Sequence, residues 1–264
     1  MKIAIIGSGK MGEALLRGII SSNISEPQNI TITDIFETQI QKLAEELEIN
    51  ATTDNEQAAK NADVIILAIK PFHVKAVLQN IKGSLNPNTI LISIAAGITL
   101  SQLDEYVENN NLQIARAMPN TPALVLSGAT GISFSKNCTA AAKDIVAKIF
   151  SGIGLLNEFP ESQLAAVTGV SGSGPAFVAI FIEAMSDAGV LMGMTRKDAV
   201  DFAVQTVEGT AKLIKETSVT PNEVKEAVSS PGGTTIAGIE ALEENGFRHA
   251  VISAVKAAAN KAKG

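Results

Sequence analysis

An apolar run that breaks into three closely spaced glycines limits what this chain can build. Lys2 to Ile6 is short and nearly continuous in apolar character, as a buried parallel strand requires, and it stops at Gly7, Gly9 and Gly12 in G-x-G-x-x-G spacing. Met11, Leu15, Leu16, Ile19 and Ile20 then recur at helical spacing, so the glycines fall where a strand turns into a helix N-terminus. There the first glycine permits a tight turn, the second lets backbone approach a pyrophosphate, and the third lets helix pack close to strand. Exposed amides and the helix dipole attract phosphate charge. A dinucleotide is the expected ligand.

Asp34 lies 22 residues after Gly12, at the end of a second strand-like run from Asn29 to Thr33. A carboxylate at that point accepts hydrogen bonds from a ribose 2′-hydroxyl. A 2′-phosphate would meet like charge, and Ile35-Phe36-Glu37 brings no Arg or Lys to neutralise it. Read this way, Asp34 favours NADH over NADPH. The same residue also suits the start of a helix from Phe36 to Leu47 as its N-cap.

The chain has 264 residues, 46% of them hydrophobic, which is enough for one large domain or two smaller ones. A net charge of −6, one Tyr and no Trp argue against a nucleic-acid surface, which needs a basic stripe and stacking aromatics. The uninterrupted apolar runs fall short of the roughly 20 residues of a spanning helix, so no membrane partner and a cytoplasmic location are expected. Cys138 is the only cysteine and reads as structural. With two histidines, His73 and His249, and no Cys/His cluster, no metal site is expected.

Strand-like and helix-like segments alternate from Met1 to about Leu156, the pattern of a doubly wound, mostly parallel α/β sheet. Strands are expected over Asp63–Ile69, ending at Lys70-Pro71, over Thr89–Ile94, followed by Ala95-Ala96-Gly97, and finally over Gln113–Ala117. Strand ends of this kind face the ligand crevice in open α/β sheets, which makes Lys70 a candidate contact, though a solvated lysine fits the spacing equally well. Asn120 and Thr121 in the proline-stiffened loop after Gln113–Ala117 offer side-chain donors.

Beyond Phe159 strand signals vanish, and the expected division is a dinucleotide-binding domain over 1–158 and an all-helical domain over 159–264. Thr195 to Asp198 resembles a capping box, and Thr220-Pro221-Asn222-Glu223 is a cleaner one with Pro at the first helical position. The helices are rich in Ala, Gly and Met, and their apolar surface exceeds what one layer would bury, pointing to a subunit interface. Two stretches look unlike packing. GVSGSGPA (Gly169–Ala176) reads as a flexible run, and SSPGGTT (Ser229–Thr235) is again glycine-rich; both lead into helices and suit a small anion such as a carboxylate. Either alone is compatible with a simple interhelical loop.

Over essentially its whole length the chain resembles the pyrroline-5-carboxylate reductases. The resemblance runs through GSGKMG, Ala68-Ile69-Lys70-Pro71, Ser93 to Gly97, RAMPNTP (Arg116–Pro122), SGSGPA (Ser171–Ala176) and SPGGTT (Ser230–Thr235). It implies a Rossmann-type domain followed by helices, and hydride transfer from NADPH or NADH to the C=N carbon of a cyclic imine bearing a carboxylate. It further implies that Ile6, Gly7, Ser8, Gly9, Lys10 and Met11, beside Gly12, contact the pyrophosphate. Asp34 and Asn55 would lie on the adenosine side, and Ala68, Ile69, Lys70 and Pro71 with Ala95 and Ala96 along the nicotinamide half. Ser230 and the amides of Gly233, Thr234 and Thr235 would hold the substrate carboxylate across a dimer interface, with the Thr235 hydroxyl directed at the ring nitrogen. The resemblance implies a homodimer through the helices, sometimes assembled into a decamer. Two competing readings are another enzyme of similar fold, either a reductase of a different imine or a β-hydroxyacid dehydrogenase, which would need a catalytic lysine such as Lys212 or Lys215, and a non-catalytic NAD(P) sensor, which would need no SPGGTT loop.

Overall fold

In the computed structural model, residues 1–109 and 111–263 are described. The amino-terminal run becomes β1 (Ile3–Ile6), followed by α1 (Lys10–Ser21), β2 (Ile30–Thr33), α2 (Glu37–Leu47), β3 (Asn50–Thr52) and α3 (Asn55–Ala59). Then come β4 (Val64–Leu67), α4 (Pro71–Ile81), β5 (Ile90–Ser93), α5 (Leu100–Val107), β6 (Gln113–Met118) and β7 (Gly128–Phe134). After α6 (Ala140–Ser151) and β8 (Gly154–Glu158) the rest is helical. The later helices are α7 (Leu164–Val167), α8 (Gly174–Leu191), α9 (Arg196–Thr217), α10 (Pro221–Ala227), α11 (Thr234–Glu244) and α12 (Phe247–Ala262).

Among the described residues one eight-stranded sheet forms in the order β3-β2-β1-β4-β5-β6-β7-β8. All neighbouring pairs are parallel except β6 with β7. Successive strand residues face opposite sides, so β1 splits its side chains between two cores. Ile3 and Ile5 join Ile32, Ile66 and Ile92 beneath α1, α2 and α6, while Ala4 and Ile6 join Ile65, Leu67 and Leu91 beneath α3, α4 and α5. Helices on both faces leave no polar side, which is why β1 and β4 read as unbroken apolar runs. Each buried Ile, Leu or Val side chain here contributes about 1.5–3 kcal/mol by leaving water.

Three strands escaped the sequence reading: β3, β7 and β8, so Gln113–Met118 is not the last strand. The β3 strand is short and polar (Asn50-Ala51-Thr52), β7 carries two glycines and a threonine, and β8 is an edge strand with Leu155 exposed. None shows the periodic apolar signal of a buried strand. The glycines of β7 have their own reason: a Cβ on Gly128 would stand 2.9 Å from Ile153 O, and one on Gly131 2.7 Å from Val167 Cγ1.

The chain divides into two compact units, one comprising Met1–Gly172 with the residues from Ala258 onward, the other Ser173–Ala257. In the second, both capping signals are realised: Thr195 accepts the amide of Asp198, and Thr220 and Glu223 form a reciprocal capping box behind Pro221. Among its described residues only Ser186, Ala199 and Ala203 are buried. Phe202, Leu191, Met192, Ile180 and Ile252 stand exposed. The helical stretch Glu161–Leu191 is long and apolar enough to cross a membrane, with 6% of its apolar window buried. This differs from the expectation drawn from uninterrupted runs, because Val, Ile, Phe, Leu and Ala scattered between Gly and Ser raise the mean hydropathy without any long run. The same stretch overturns the flexible reading of GVSGSGPA, which is helical almost throughout: Thr168–Gly172 forms a π-helical turn between α7 and α8.

Candidate active site

Six parallel strands share one line of register near their carboxyl ends. The register aligns Thr52, Thr33, Ile6, Leu67, Ser93 and Arg116 across β3, β2, β1, β4, β5 and β6. Every segment expected at the cofactor leaves this row within a few residues: Gly7–Gly12 after β1, Asp34 after β2, Ala68–Pro71 after β4, Ala95-Ala96 after β5. The strand order reverses at β1, whose neighbours are β2 and β4, and such a switch point opens a crevice at the carboxyl ends of the strands.

The glycine loop is built by close approaches. Gly7 has φ +108°, and a Cβ there would lie 2.4 Å from Ala68 O and 2.9 Å from Ile69 Cγ2. A Cβ on Gly12 would lie 2.1 Å from Gly7 O, so α1 starts against its own loop only because that side chain is absent. Gly9 is different: it is the N-cap of α1, makes no side-chain cap, and leaves open space within 4 Å of a Cβ position. The first-turn amides of α1 are thus without a side-chain acceptor and their positive dipole end is uncompensated. This arrangement fits a pyrophosphate.

Asp34 is tied to that loop. The Ser8 amide and hydroxyl both donate to its Oδ2, at 2.7 and 2.9 Å, and the Phe36 amide donates to Oδ1 at 3.2 Å. Gln39 Nε2 donates to Ser8 O at 2.6 Å. Burial pushes the Asp34 carboxyl up, but the hydrogen bonds from Ser8, Phe36 and Ile35 outweigh it and hold the group below the usual carboxylate value. Phe36 is the backbone N-cap of α2, and the Asp34 side chain takes the amide of that cap residue. Next along the row the Thr33 hydroxyl donates to Asn55 Oδ1 at 2.5 Å, fixing Asn55 at the start of α3 beside Asp34's strand.

Beyond β4, Lys70 is exposed and caps α4 through backbone alone, with Pro71 in the first turn. Ala95 is buried, its amide donating to Ser93 Oγ at 3.3 Å, while Ala96 and Gly97 are open to solvent. Asn120 bridges two segments: its Nδ2 donates to Ser171 O at 3.0 Å in the π-helical turn, and its Oδ1 accepts the Ala129 amide at 2.8 Å. Arg116 donates to Glu161 Oε1 at 2.8 Å, and the Leu100 amide reaches the same oxygen at 2.7 Å. Sequence reasoning missed Glu161; an acidic residue after an edge strand carries no motif. Cys138 donates to Ile114 O at 3.2 Å, and burial pushes its thiol up, consistent with a structural role.

In the helical unit, Ser230 O accepts the Gly233 amide at 3.0 Å across Pro231-Gly232, and Gly232 has φ +67°. Pro then Gly with positive φ is the arrangement of a type II turn. A Cβ on Gly233 would meet Ser230 Oγ at 2.3 Å, so glycine lets the hydroxyl fold over the turn. Gly233 caps α11 without a side chain, which leaves the amides of Thr234 and Thr235 in an open first turn. Ser230 and Thr234 are exposed and Thr235 is half-buried. Lys212 is solvated and lies 3.9 Å from Glu216.

Comparison with known proteins gives this geometry a family. A curated pyrroline-5-carboxylate reductase of Methanosarcina acetivorans is 44% identical over 99% of this chain and 97% of its own length. The chain belongs to the pyrroline-5-carboxylate reductase family. Members of that family are NAD(P)-dependent oxidoreductases that catalyse the last step of proline biosynthesis. Residues 161–264 match the family described as pyrroline-5-carboxylate reductase dimerisation, so the helical part belongs to an oligomerising module. Residues 2–97 match the family described as coenzyme F420-dependent NADP oxidoreductase. Among solved structures, a pyrroline-5-carboxylate reductase of Coxiella burnetii superposes with a TM-score of 0.93 at 34% identity, covering 99% of this chain and 97% of that one. The reductase of Plasmodium falciparum, solved with NADP bound, gives 0.89 at 35% identity, covering 100% and 97%.

Proposed function

We propose that this chain reduces 1-pyrroline-5-carboxylate to L-proline, with Gly7–Gly12 holding the pyrophosphate of a reduced nicotinamide dinucleotide. The observation that carries the reading is the first turn of α1: Gly9 leaves it uncapped and open, at the switch point of the sheet, while Gly7 and Gly12 admit no side chain. When bound, the reduced nicotinamide supplies the hydride. The residues of the chain bind and orient. Ile6, Ser8, Lys10 and Met11 flank the pyrophosphate, Asp34 and Asn55 face the adenosine side, and Ala68, Ile69, Lys70, Pro71, Ala95 and Ala96 line the nicotinamide half. Because Asp34 stays ionised, NADH is used well.

The uncapped start of α11 supports a role as carboxylate site, with Ser230 and the amides of Gly233, Thr234 and Thr235 as donors. Thr235 Oγ1 then hydrogen-bonds the ring nitrogen and keeps the C=N carbon electron-poor. Alignment of this kind, without metal or covalent nucleophile, supplies about 7 kcal/mol or more of barrier reduction. The exposed apolar face of the helical unit supports a homodimer whose second copy contributes this carboxylate site, with further assembly to a decamer. We place the enzyme in the cytoplasm, acting on a small molecule and contacting neither nucleic acid nor membrane. The test is direct: mixing the full chain with NADH or NADPH and pyrroline-5-carboxylate consumes the coenzyme and forms proline in equal amount. Coenzyme binding without turnover would favour the non-catalytic reading.

A further inference from the structure

The loop from Ala95 to Thr99 is anchored by Ala95 and Ile98, which pack into the core beneath α4 and α5, and by hydrogen bonds at its two ends. Ala96 and Gly97 are exposed, Gly97 has φ +78°, and no atom lies within 4 Å of a Cβ placed on it. At the near end the Ala95 amide is held by Ser93 Oγ. At the far end Leu100 opens α5, and its amide is one of the donors that no helical carbonyl can reach. The N-cap Thr99 does not satisfy it, because that hydroxyl accepts the Gln102 amide instead.

Glu161 fills the gap. Its Oε1 accepts the Leu100 amide at 2.7 Å and Arg116 Nη1 at 2.8 Å. Arg116 is rooted in β6 directly across from Ser93 in β5, and its side chain is only 14% exposed. One carboxylate oxygen thus ties the end of the loop to the strand beside the strand on which the loop begins. Opposite charge at a helix N-terminus adds to the attraction.

We propose that Glu161 is a positioning residue for the reduction, fixing Ala95–Thr99 at the nicotinamide half of the cofactor site. The proposal rests on the functional reading given above. Its carboxylate is 31% exposed and the Arg116 side chain 14%, so removing Glu161 costs some global stability, and the specific effect falls on the order of this loop.

The test compares wild type, E161A and E161Q as full-length chains. Hydrogen exchange is read at the Leu100 amide, NADH and NADPH binding by calorimetry, and kcat and KM with pyrroline-5-carboxylate. E161A is expected to lose protection at Leu100 and to weaken coenzyme binding about tenfold, the scale of one hydrogen bond to a charged group. E161Q keeps an oxygen that accepts from Leu100 and is expected to retain that protection and stay within about threefold of wild type. Lost protection with unchanged coenzyme affinity and kcat would overturn the proposal, as would protection unchanged in E161A or global unfolding of E161A, which would make Glu161 a general stability residue. A wild type that binds neither coenzyme would overturn the functional reading, and the proposal with it; that arm involves no variant.

Discussion

Ser8 donates both its amide and its hydroxyl to a single oxygen of Asp34, at 2.7 and 2.9 Å, which makes the glycine loop after β1 and the acidic end of β2 one hydrogen-bonded unit. Asp34→Ser removes the negative charge and releases both Ser8 donors at once. A 2′-phosphate there would meet donors in place of a carboxylate. The ratio of kcat/KM for NADPH to that for NADH is expected to rise about tenfold, the effect of relieving one like-charge contact at partial solvation. Steady-state kinetics with both coenzymes check it, and an unchanged ratio would separate Asp34 from the ribose.

The pH response of the same pair follows from sign. Burial raises the Asp34 carboxyl and the bonds from Ser8, Phe36 and Ile35 lower it further than burial raises it, so the native group titrates below its ordinary 3.8. A group depressed in the folded state stabilises it above the unfolded value, and that contribution is lost as pH falls through the lower native value. Ser8→Ala removes the hydroxyl and keeps the amide. The Asp34 midpoint, followed by carboxyl NMR, is expected to move up toward 3.8, and the stability that Asp34 supplies above that pH, together with the acid-dependent loss of it, to shrink.

Two glycines of the loop, Gly12 and Gly9, separate structure from binding. Gly12→Ala puts a methyl 2.1 Å from Gly7 O, a backbone atom that cannot swing away, and is expected to cost about 1–3 kcal/mol or more. Gly9→Ala has φ −64° and open space, so the gain from a stiffer unfolded chain offsets alanine's poorer fit at an N-cap and stability should stay within about 1 kcal/mol. Coenzyme affinity should nevertheless fall at least about tenfold, because the methyl occupies the approach to the pyrophosphate. Denaturation curves and calorimetry on the two variants give the contrast, and a Gly9→Ala protein that binds normally would move the pyrophosphate elsewhere.

Thr235→Ala deletes one hydroxyl at the open start of α11. If that group hydrogen-bonds the ring nitrogen as the imine is reduced, kcat drops about 10²-fold, as for loss of one donor at a site of developing charge. Coenzyme affinity is expected to stay within about threefold. Equal losses in both would assign Thr235 to folding or assembly.

The parts of the fold that were legible in sequence were those with a strong local rule. Lys2–Gly12 combines an apolar run with a fixed glycine spacing, and Thr220-Pro221-Asn222-Glu223 carries a complete capping signal; both appear as read. Strands β3 and β8 lie at the sheet edges, where burial does not demand continuous apolar residues, while β7 is buried but takes glycines where neighbouring atoms approach closely. GVSGSGPA misled because glycine and serine suggest a loose chain, yet Asn120 holds the Ser171 carbonyl and the segment stays helical as a π turn. The ties between Ser8 and Asp34, Thr33 and Asn55, and Glu161 and Leu100 are set by strand register and helix entry, which no local pattern encodes.

With Ser186, Ala199 and Ala203 as the only buried side chains described in Ser173–Ala257, that unit has almost no interior of its own. If a second copy covers that face, as proposed, association and folding become one equilibrium: dilution would act on the segment as a denaturant does, and the amount of protein present would become a term in its stability.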